Sequence, residues 1–468
     1  MNEKTPNLTG KTITSTSGRE YTLVRVAGYG AQGAVYEESS GLMMVKLYHP
    51  SGSDDIDRSL LERLDFIRGL RMPDNFVRVE DVIAEPYVGY AMRRVDDHKP
   101  LSRFLIPDKG TSFAEWYNSG RGLRDRLFIG YVIAKAFRDL ERNNLSYCDI
   151  SGSNILVKIG KSASVRIIDV DNIYVAGKGL ASVFGTPRYI APEVLSRERN
   201  PDVLSDNYSL AVILFELLRV GHPYISDDVM SGTPEDEDNA LAGMLDYVTD
   251  DNSQNMLPAS AVLTTRLRNL FEQCFVDGKA NRLKRPSALD FELALLDASN
   301  KVIRCPTCGA WHYPRKAGRV YLGCPWCDSP SAPKARLNFY ECLSEGKDFR
   351  TSAILSKRLT NTYILRDGKN RVKSLYLLGG TTRLEPYDPL DDCYTIAKNT
   401  EGYWAFNEFD KDRLLIVKHG THKVIRLESH GYTPLKRGDR VIFGEPSETM
   451  IENKRYFLSV MAVFDEVQ

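Results

Sequence analysis

The stretch Gly28-Tyr29-Gly30-Ala31-Gln32-Gly33-Ala34-Val35, with Val45-Lys46 close behind it, decides how the first part of this chain is read. Three glycines at that spacing make a turn whose backbone no side chain holds away from a ligand, so main chain can lie directly on a phosphate. Alone, the glycines read first as a plain hairpin; their meaning comes from what surrounds them. Short β-branched and aromatic runs from Tyr21 to Tyr48 predict a hairpin-rich small lobe, after a Thr-, Ser- and Asn-rich lead-in over residues 1–18. Apolar residues at 56, 60, 64 and 67 mark one helix face between Asp54 and Leu70, with Ser53, Asp54 and Asp55 supplying capping chemistry. Tyr87 to Val95 reads as a strand, and the chain beyond Leu123 as mainly helical.

Downstream lies Tyr147-Cys148-Asp149-Ile150-Ser151-Gly152-Ser153-Asn154-Ile155-Leu156, an aspartate followed five residues later by an asparagine, just before an apolar strand. Ile167-Ile168-Asp169-Val170-Asp171 adds a second acidic position after another apolar run. Asn154 and Asp169 are hard oxygen donors of the kind Mg²⁺ takes beside phosphates. Gly185-Thr186-Pro187-Arg188-Tyr189-Ile190-Ala191-Pro192-Glu193 follows, then Ser205-Asp206 at the head of an apolar helix, and Lys284-Arg285-Pro286.

The order and spacing of these pieces, over roughly residues 20 to 297, resemble the eukaryotic-like (Hanks-type) bacterial serine/threonine protein kinases. The resemblance implies a bilobal fold that binds ATP and Mg²⁺ and moves a phosphoryl group to a hydroxyl. On it, Gly28, Gly30 and Gly33 cover the phosphates, Val35 covers the adenine, and Lys46 contacts the α- and β-phosphates. Glu62 is the candidate carboxylate that fixes the Lys46 ammonium, with Phe66 beneath it and Asp57 and Asp65 as rivals. Met92, in the strand-to-hinge passage Tyr90 to Val95, falls at the gatekeeper position. Asp149 takes or orients the proton of the attacking hydroxyl, while Asn154 and Asp169 hold the metal. Thr186 steadies Asp149, Asp206 braces the catalytic-loop backbone, and Glu193 pairs with Arg285. Tyr174 and Ser182 are other hydroxyls of the segment before Thr186.

Four positions depart from the family pattern. Tyr147 and Cys148 stand where a histidine and an arginine precede the aspartate, so switching through a phosphate on that segment is not expected. Cys148 reads as a small buried residue. Ser151 replaces a lysine and removes a cation from the γ-phosphate. Asp171 replaces the glycine of the metal-binding triplet, altering the turn and offering a further candidate metal ligand. The alternative reading is therefore a nucleotide-binding pseudokinase scaffold; a small-molecule kinase is a third, which the Ala191-Pro192-Glu193 piece disfavours.

At 468 residues the chain is long enough for two to four domains, and 42% hydrophobic with 26% charged residues is ordinary for a globular protein. A formal net charge of zero gives no field to recruit nucleic acid or acidic membrane. The start, MNEKTPNLTG, lacks an apolar core, and the run Leu210 to Leu218 carries Glu216 and is too short to span a bilayer, so a cytoplasmic protein is expected. The stretch from Ile225 to Ser260, with Glu235, Asp236, Glu237 and Asp238, reads as an acidic, solvated loop or a docking surface for a basic partner.

Near residue 300 the composition changes. Cys305-Pro306-Thr307-Cys308 and Cys324-Pro325-Trp326-Cys327 are two C-x-x-C knuckles separated by fifteen residues. That spacing brings four thiolates to one tetrahedral ion, and a closed sulfur shell favours structural Zn²⁺ over a disulfide or a hard cation. His312 is surplus to that set and reads as a surface residue. After a Ser329 to Pro333 linker, short alternating runs at 363–365, 375–378 and 413–417, with turns at Asp367-Gly368 and Arg437-Gly438-Asp439, predict a β-sandwich or barrel. Cys342 and Cys393 read as core. The phrase from Pro434 to Gly444 looks like the closing turn and strand of forkhead-associated domains, without an identifiable phosphopeptide site.

The expected fold class is multidomain α+β: a bilobal kinase fold over 19–297, a zinc ribbon over 301–330, and an all-β, sandwich-like interaction module over 334–468. The whole arrangement is similar to a bacterial kinase group that travels with a von Willebrand A-type (VWA) protein and a PP2C-like phosphatase in tellurite-resistance-associated gene sets. That narrower resemblance implies partner proteins as substrates, positioned by the C-terminal modules.

Overall fold

The structure is a computed structural model, and it describes residues 7–467 except 31, 84–85, 108–109, 119–121, 160–162, 176–184, 250, 252, 319, 348–353, 374–392, 408–413, 422 and 429. The chain divides into two compact units. The first comprises Met1–Trp116, Phe128–Ser260 and Thr265–Glu292; the second comprises Tyr117–Leu127, Ala261–Thr264 and Leu293–Gln468.

In the first unit, β1 (Thr12–Thr14), β2 (Glu20–Tyr29), β3 (Gly33–Glu38), β4 (Met43–Tyr48), β5 (Asp81–Ile83) and β6 (Gly89–Arg93) form an antiparallel sheet in the order β1-β2-β3-β4-β6-β5. The lead-in is thus partly built into the sheet: Thr12–Thr14 pair with β2, and Leu8 is fully buried. Strand alternation sorts the side chains. Ala34, Tyr36, Val45 and Leu47 enter the core with Ile13, Tyr21 and Leu23. Val35, Lys46 and Tyr90 are direct partners across β3, β4 and β6, so they share the opposite face.

Helix α1 (Asp54–Arg68) turns Leu64 and Ile67 inward as its spacing predicts, while Leu60 is half-buried and Ile56, at the start of the same predicted face, is exposed. Ser53 takes the N-cap position in extended geometry without a side-chain cap bond, and three acidic residues occupy the first turn instead. Strand β7 (Lys99–Pro100) and the hairpin β9 (Ile155–Lys158) and β10 (Ser164–Ile167) form one small sheet; β8 (Leu145–Ser146) pairs with β11 (Tyr174–Val175).

After the short helix α2 (Phe113–Asn118), α3 (Leu123–Glu141) and α5 (Val203–Arg219) are the longest helices, with α4 (Pro192–Leu195) between them. Every residue of α5 from Ser205 to Arg219 is buried, and Asp202 starts it with a reciprocal capping box to Ser205. The acidic stretch after Ile225 is not simply loop. It forms α6 (Asp227–Ser231) and α7 (Pro234–Leu241), because Thr233 and Asp236 cap α7 reciprocally and Pro234 sits where its missing N–H costs nothing. Among the described residues no helix is long and apolar enough to cross a membrane.

In the second unit, the short strands β12 (Ile303–Arg304) with β13 (Trp311–His312), and β14 (Lys316–Ala317) with β15 (Val320–Tyr321), make two tiny hairpins. Strands β16 (Ala335–Ser344), β17 (Ile354–Leu365), β18 (Lys369–Lys373), β19 (Cys393–Asn399), β20 (Gly402–Asn407), β21 (Leu414–Val417), β22 (Val424–Leu427), β23 (Tyr432–Leu435), β24 (Arg440–Ile451) and β25 (Lys454–Glu466) follow. They form a six-stranded sheet, β17-β16-β25-β24-β21-β22, and a four-stranded sheet, β18-β19-β20-β23. Tyr403 and Phe464 bring the two sheets together with ring centroids 5.3 Å apart. The run at 375–378, the side chain of Cys393, and Ser182 lie outside the described residues; Cys342 is core, as expected.

Candidate active site and metal centre

A cavity of about 370 Å³ is lined by Gly28, Gly30, Gly33, Val35, Lys46, Asp149 and Asp169, which gathers seven of the sequence candidates; Tyr29, Gln32 and Asn172 also line it. That size suits a small organic ligand. At Gly33, paired with Tyr48, a Cβ would stand 2.0 Å from the Leu47 carbonyl oxygen, so only glycine fits. A Cβ at Gly28 would meet nothing within 4 Å, so packing does not demand glycine there; the space beside it is open. The Gly30 amide donates to the Gly33 carbonyl at 2.8 Å and closes the turn. Met92, buried on β6, lies two residues beyond Tyr90 and shares its face.

Lys46 is buried, and its ammonium donates to Asp171 at 3.0 Å and to Asp169 at 3.4 Å. Burial pulls the Lys46 pKa down, but the Asp171 and Asp169 carboxylates outweigh it and hold the amine above its ordinary value. This corrects the expectation for Glu62, which is exposed on α1 and is not among the ion-pair partners of Lys46. The rival Asp65 pairs with Arg68 at 2.5 Å on the same helix.

Asp171 also accepts from the phenols of Tyr48 and Tyr90, the latter at 3.3 Å. Its side chain is 2% exposed against 31% for Asp169, and both its oxygens are taken, so it is not placed as a metal ligand. Tyr48 and Tyr90 escaped the sequence reading. The available signal was alternation: Tyr48 lies two residues past Lys46 on β4 and therefore on its face.

The hairpin of β9 and β10 brings the remaining pieces together. Ile155 pairs with Ile167, and the Ile168 amide donates to the Asn154 carbonyl at 2.9 Å, setting Asn154 beside the residue before Asp169. Asp149 accepts from Thr186 Oγ1 at 2.9 Å on one oxygen and from Asn154 Nδ2 at 2.9 Å on the other. Burial raises the Asp149 pKa, and these two donors only partly offset it. Asp169 is raised too, first by burial and then by Asp171, with Lys46 pulling the other way. The amide of Asn154 spends its N–H bonds on Asp149, and its oxygen, met by the Ser153 hydroxyl at a long 3.5 Å, is the side that can face a cation. That oxygen and the Asp169 carboxylate are a donor set that fits Mg²⁺.

The departures find structural employment here. Tyr147 donates its hydroxyl to the Ile168 carbonyl, and its ring packs against Phe76 and Phe137, each 5.9 Å away. Cys148 is buried with φ of 70°, and Asp169 has φ of 54°. Two non-glycine residues in the left-handed region, on either side of one site, are held there by surrounding bonds. At Cys148 Asp206 supplies them: its carboxylate accepts the Tyr147 amide at 2.6 Å and the Cys148 amide at 3.0 Å, the brace the sequence predicts. Burial lifts the Asp206 pKa to about 7 against the pull of those amides. Ser151 accepts the Asn154 amide at 3.3 Å and meets Ser153 at 2.9 Å, so it shapes the loop and supplies no cation. Glu193 and Arg285 form the expected pair, doubly bonded at 2.7 and 2.8 Å.

In the second unit the four cysteine sulfurs of Cys305, Cys308, Cys324 and Cys327 all lie within 4.8 Å of one another. Cys305 to Cys327 and Cys308 to Cys324 are each 3.7 Å, and none is in a disulfide. A tetrahedron with Zn–S bonds of about 2.3 Å has edges near 3.8 Å, so the thiols fit a zinc ion. His312 is not a surface residue: it is 1% exposed, bonded to the Tyr313 carbonyl at 2.8 Å and to Ser331 at 2.9 Å. Trp326, inside the second knuckle, stacks on Tyr117 at 5.3 Å, and Trp311 lies between Arg124 and Arg366 at 4.9 and 5.0 Å.

Comparison with known proteins agrees with this geometry. The family model described as "Protein kinase domain" matches residues 21–292, more than half of the chain. The chain is 24% identical to "Protein kinase YegI" of Escherichia coli, over 68% of this chain and 50% of that protein. It is 25% identical to "Serine/threonine-protein kinase SAPK9" of Oryza sativa, over 58% of this chain and 70% of that protein. A cGMP-dependent protein kinase of Drosophila melanogaster is 32% identical over 22% of this chain and 11% of its own length. The chain thus spans between about a tenth and a half of the curated relatives from fly and bacterium. On the family match and on the cleft that unites the glycine turn, Lys46, Asp149 and Asp169, the chain belongs to the protein kinase domain family.

Proposed function

We propose that the protein is an ATP- and Mg²⁺-dependent serine/threonine protein kinase that phosphorylates hydroxyls of partner proteins. The observation that carries this is Asp149, bonded to Thr186 and Asn154, lining the same cavity as the glycine turn and Lys46. A hydroxyl entering beside Thr186 meets a carboxylate whose raised pKa suits proton acceptance, and the two donors fix that carboxylate's orientation. Lys46 presents a charge to the α- and β-phosphates, the glycine turn covers them, and Val35 and Met92 bound the base. Bound Mg²⁺, held by Asn154 and Asp169, would neutralise charge on the transferring group.

The resemblance to the VWA and PP2C gene sets supports a bacterial signalling or stress-response role, with those proteins as partners, no nucleic acid and no membrane. A cytoplasmic site is supported by free thiols among the described residues. The ribbon is proposed as a structural zinc site, and the β-module as the part that positions substrates.

The test is incubation of purified protein with ATP labelled at the γ-phosphate, beside Asp149→Asn and Lys46→Met. Label in the parent that both variants lose supports the kinase. Equal background in all three, with nucleotide still bound, supports instead a pseudokinase scaffold, the reading favoured by the missing cation at Ser151.

A further inference from the structure

A kinase cleft needs its lysine fixed, and in this chain the fixing carboxylate does not come from α1. Asp171 is nearly inaccessible to solvent and receives three donors: the Lys46 ammonium at 3.0 Å, the Tyr90 hydroxyl at 3.3 Å, and the Tyr48 hydroxyl. All three come from the cleft-facing side of the small-lobe sheet, where Lys46 and Tyr90 are direct strand partners. A short turn, Val170–Asn172, starts from Asp169 in the left-handed region and carries Asp171 to that sheet. Asp169 is the weaker partner of Lys46, at 3.4 Å and 31% exposed, and so keeps its carboxylate toward the cavity. Meanwhile Asp65 is engaged with Arg68, and Glu62 points to solvent.

Resting on the kinase reading above, we propose that Asp171 is the positioning residue for Lys46, so that the nucleotide-facing lysine is assembled without any carboxylate of α1. Tyr48 and Tyr90 complete the clamp. Burial, followed by the charge of Asp171, raises both phenols well above their ordinary range, which keeps them protonated and donating. A buried charge deprived of its partner is destabilised, so each member holds the others in place. One short turn therefore sets both the metal ligand Asp169 and the phosphate-contacting lysine. Where a helix must swing in to supply the carboxylate, assembly can be switched by moving the helix; this arrangement removes that lever.

The test compares full-length parent, Asp171→Asn and Glu62→Ala. Two readouts are taken: kcat/KM for ATP, and the reactivity of the Lys46 amine toward acetic anhydride, measured by mass spectrometry on the folded proteins. Asp171→Asn is isosteric and its carbonyl oxygen can still accept from one of the two phenols, and a melting curve close to the parent's shows that it folds. The expected result is a loss of about a hundredfold or more in kcat/KM for Asp171→Asn and a change within about twofold for Glu62→Ala. Lys46 acetylation should rise in the first variant and not in the second, because the ammonium loses its main counter-charge. A Glu62→Ala loss as deep as that of Asp171→Asn, or unchanged Lys46 reactivity in Asp171→Asn, overturns the proposal. If the parent transfers no phosphate, the kinase reading falls while the labelling result still decides for or against the clamp.

Discussion

The cleft and the ribbon solve the same problem, holding charge at a fixed point, by opposite means. In the ribbon, four thiols from two short knuckles meet at one place, and chain spacing alone fixes the geometry. In the cleft, Lys46 meets a carboxylate 125 positions away, through a strand, a hairpin and a left-handed turn. On the zinc proposal the ribbon's stability would depend on a bound ion; the cleft's depends on a folded core with buried polar groups bonded to one another. Short-range devices can be read from a motif, whereas long-range ones depend on the strand register.

The largest expected effect is on the ribbon side. Removing zinc by chelation, or substituting Cys324→Ser, should cost on the order of 10 kcal/mol of local folding energy. Stoichiometric zinc by elemental analysis, lost in the variant together with a change in Trp311 and Trp326 fluorescence, is the expected observation. A metal-free protein with unchanged fluorescence would remove the contrast.

Next comes the cleft. Asp149→Asn should lower kcat by about 10²- to 10⁴-fold while ATP affinity, measured by calorimetry, stays near the parent's. Smaller is the scaffold pair beneath it: Arg285→Ala leaves the half-buried Glu193 with the longer Arg282 pairing at 3.7 Å and should destabilise by about 3 kcal/mol in denaturant titration.

The smallest effect concerns pH. Burial holds Glu141, Asp206 and Glu292 at about 7, whereas unfolded carboxyls titrate near 4. Between those values the folded state keeps protons that the unfolded state releases, so stability should rise as pH falls from 8 to 6. Each group should contribute about 1 kcal/mol to that difference, and Glu292→Gln should flatten the dependence by that share. A stability that instead falls across this window would contradict the assignment.

The catalytic loop and its aspartate brace were legible because each sits in a short pattern: Asp149 five residues before Asn154, Asp206 at a helix head. The ribbon was legible for the same reason. The partner of Lys46 was not, because a helix carboxylate and a turn carboxylate look alike in a linear string; only the pairing of β4 with β6 and the left-handed Asp169 choose between them. The helix of the acidic stretch escaped because charge density hid the Thr233 and Asp236 capping box. His312 was misread as surface since Ser331, its hydrogen-bond partner, lies well beyond it in sequence.

On the proposed function, nucleotide phosphates lie in the cleft against a divalent ion tethered to Asn154 and Asp169. Calorimetric titration of ATP into the parent and Asp169→Asn, with Mg²⁺ and with chelator, tests it most directly. The predicted result is tight binding only for the parent with Mg²⁺. Equal affinity in all four titrations would contradict it.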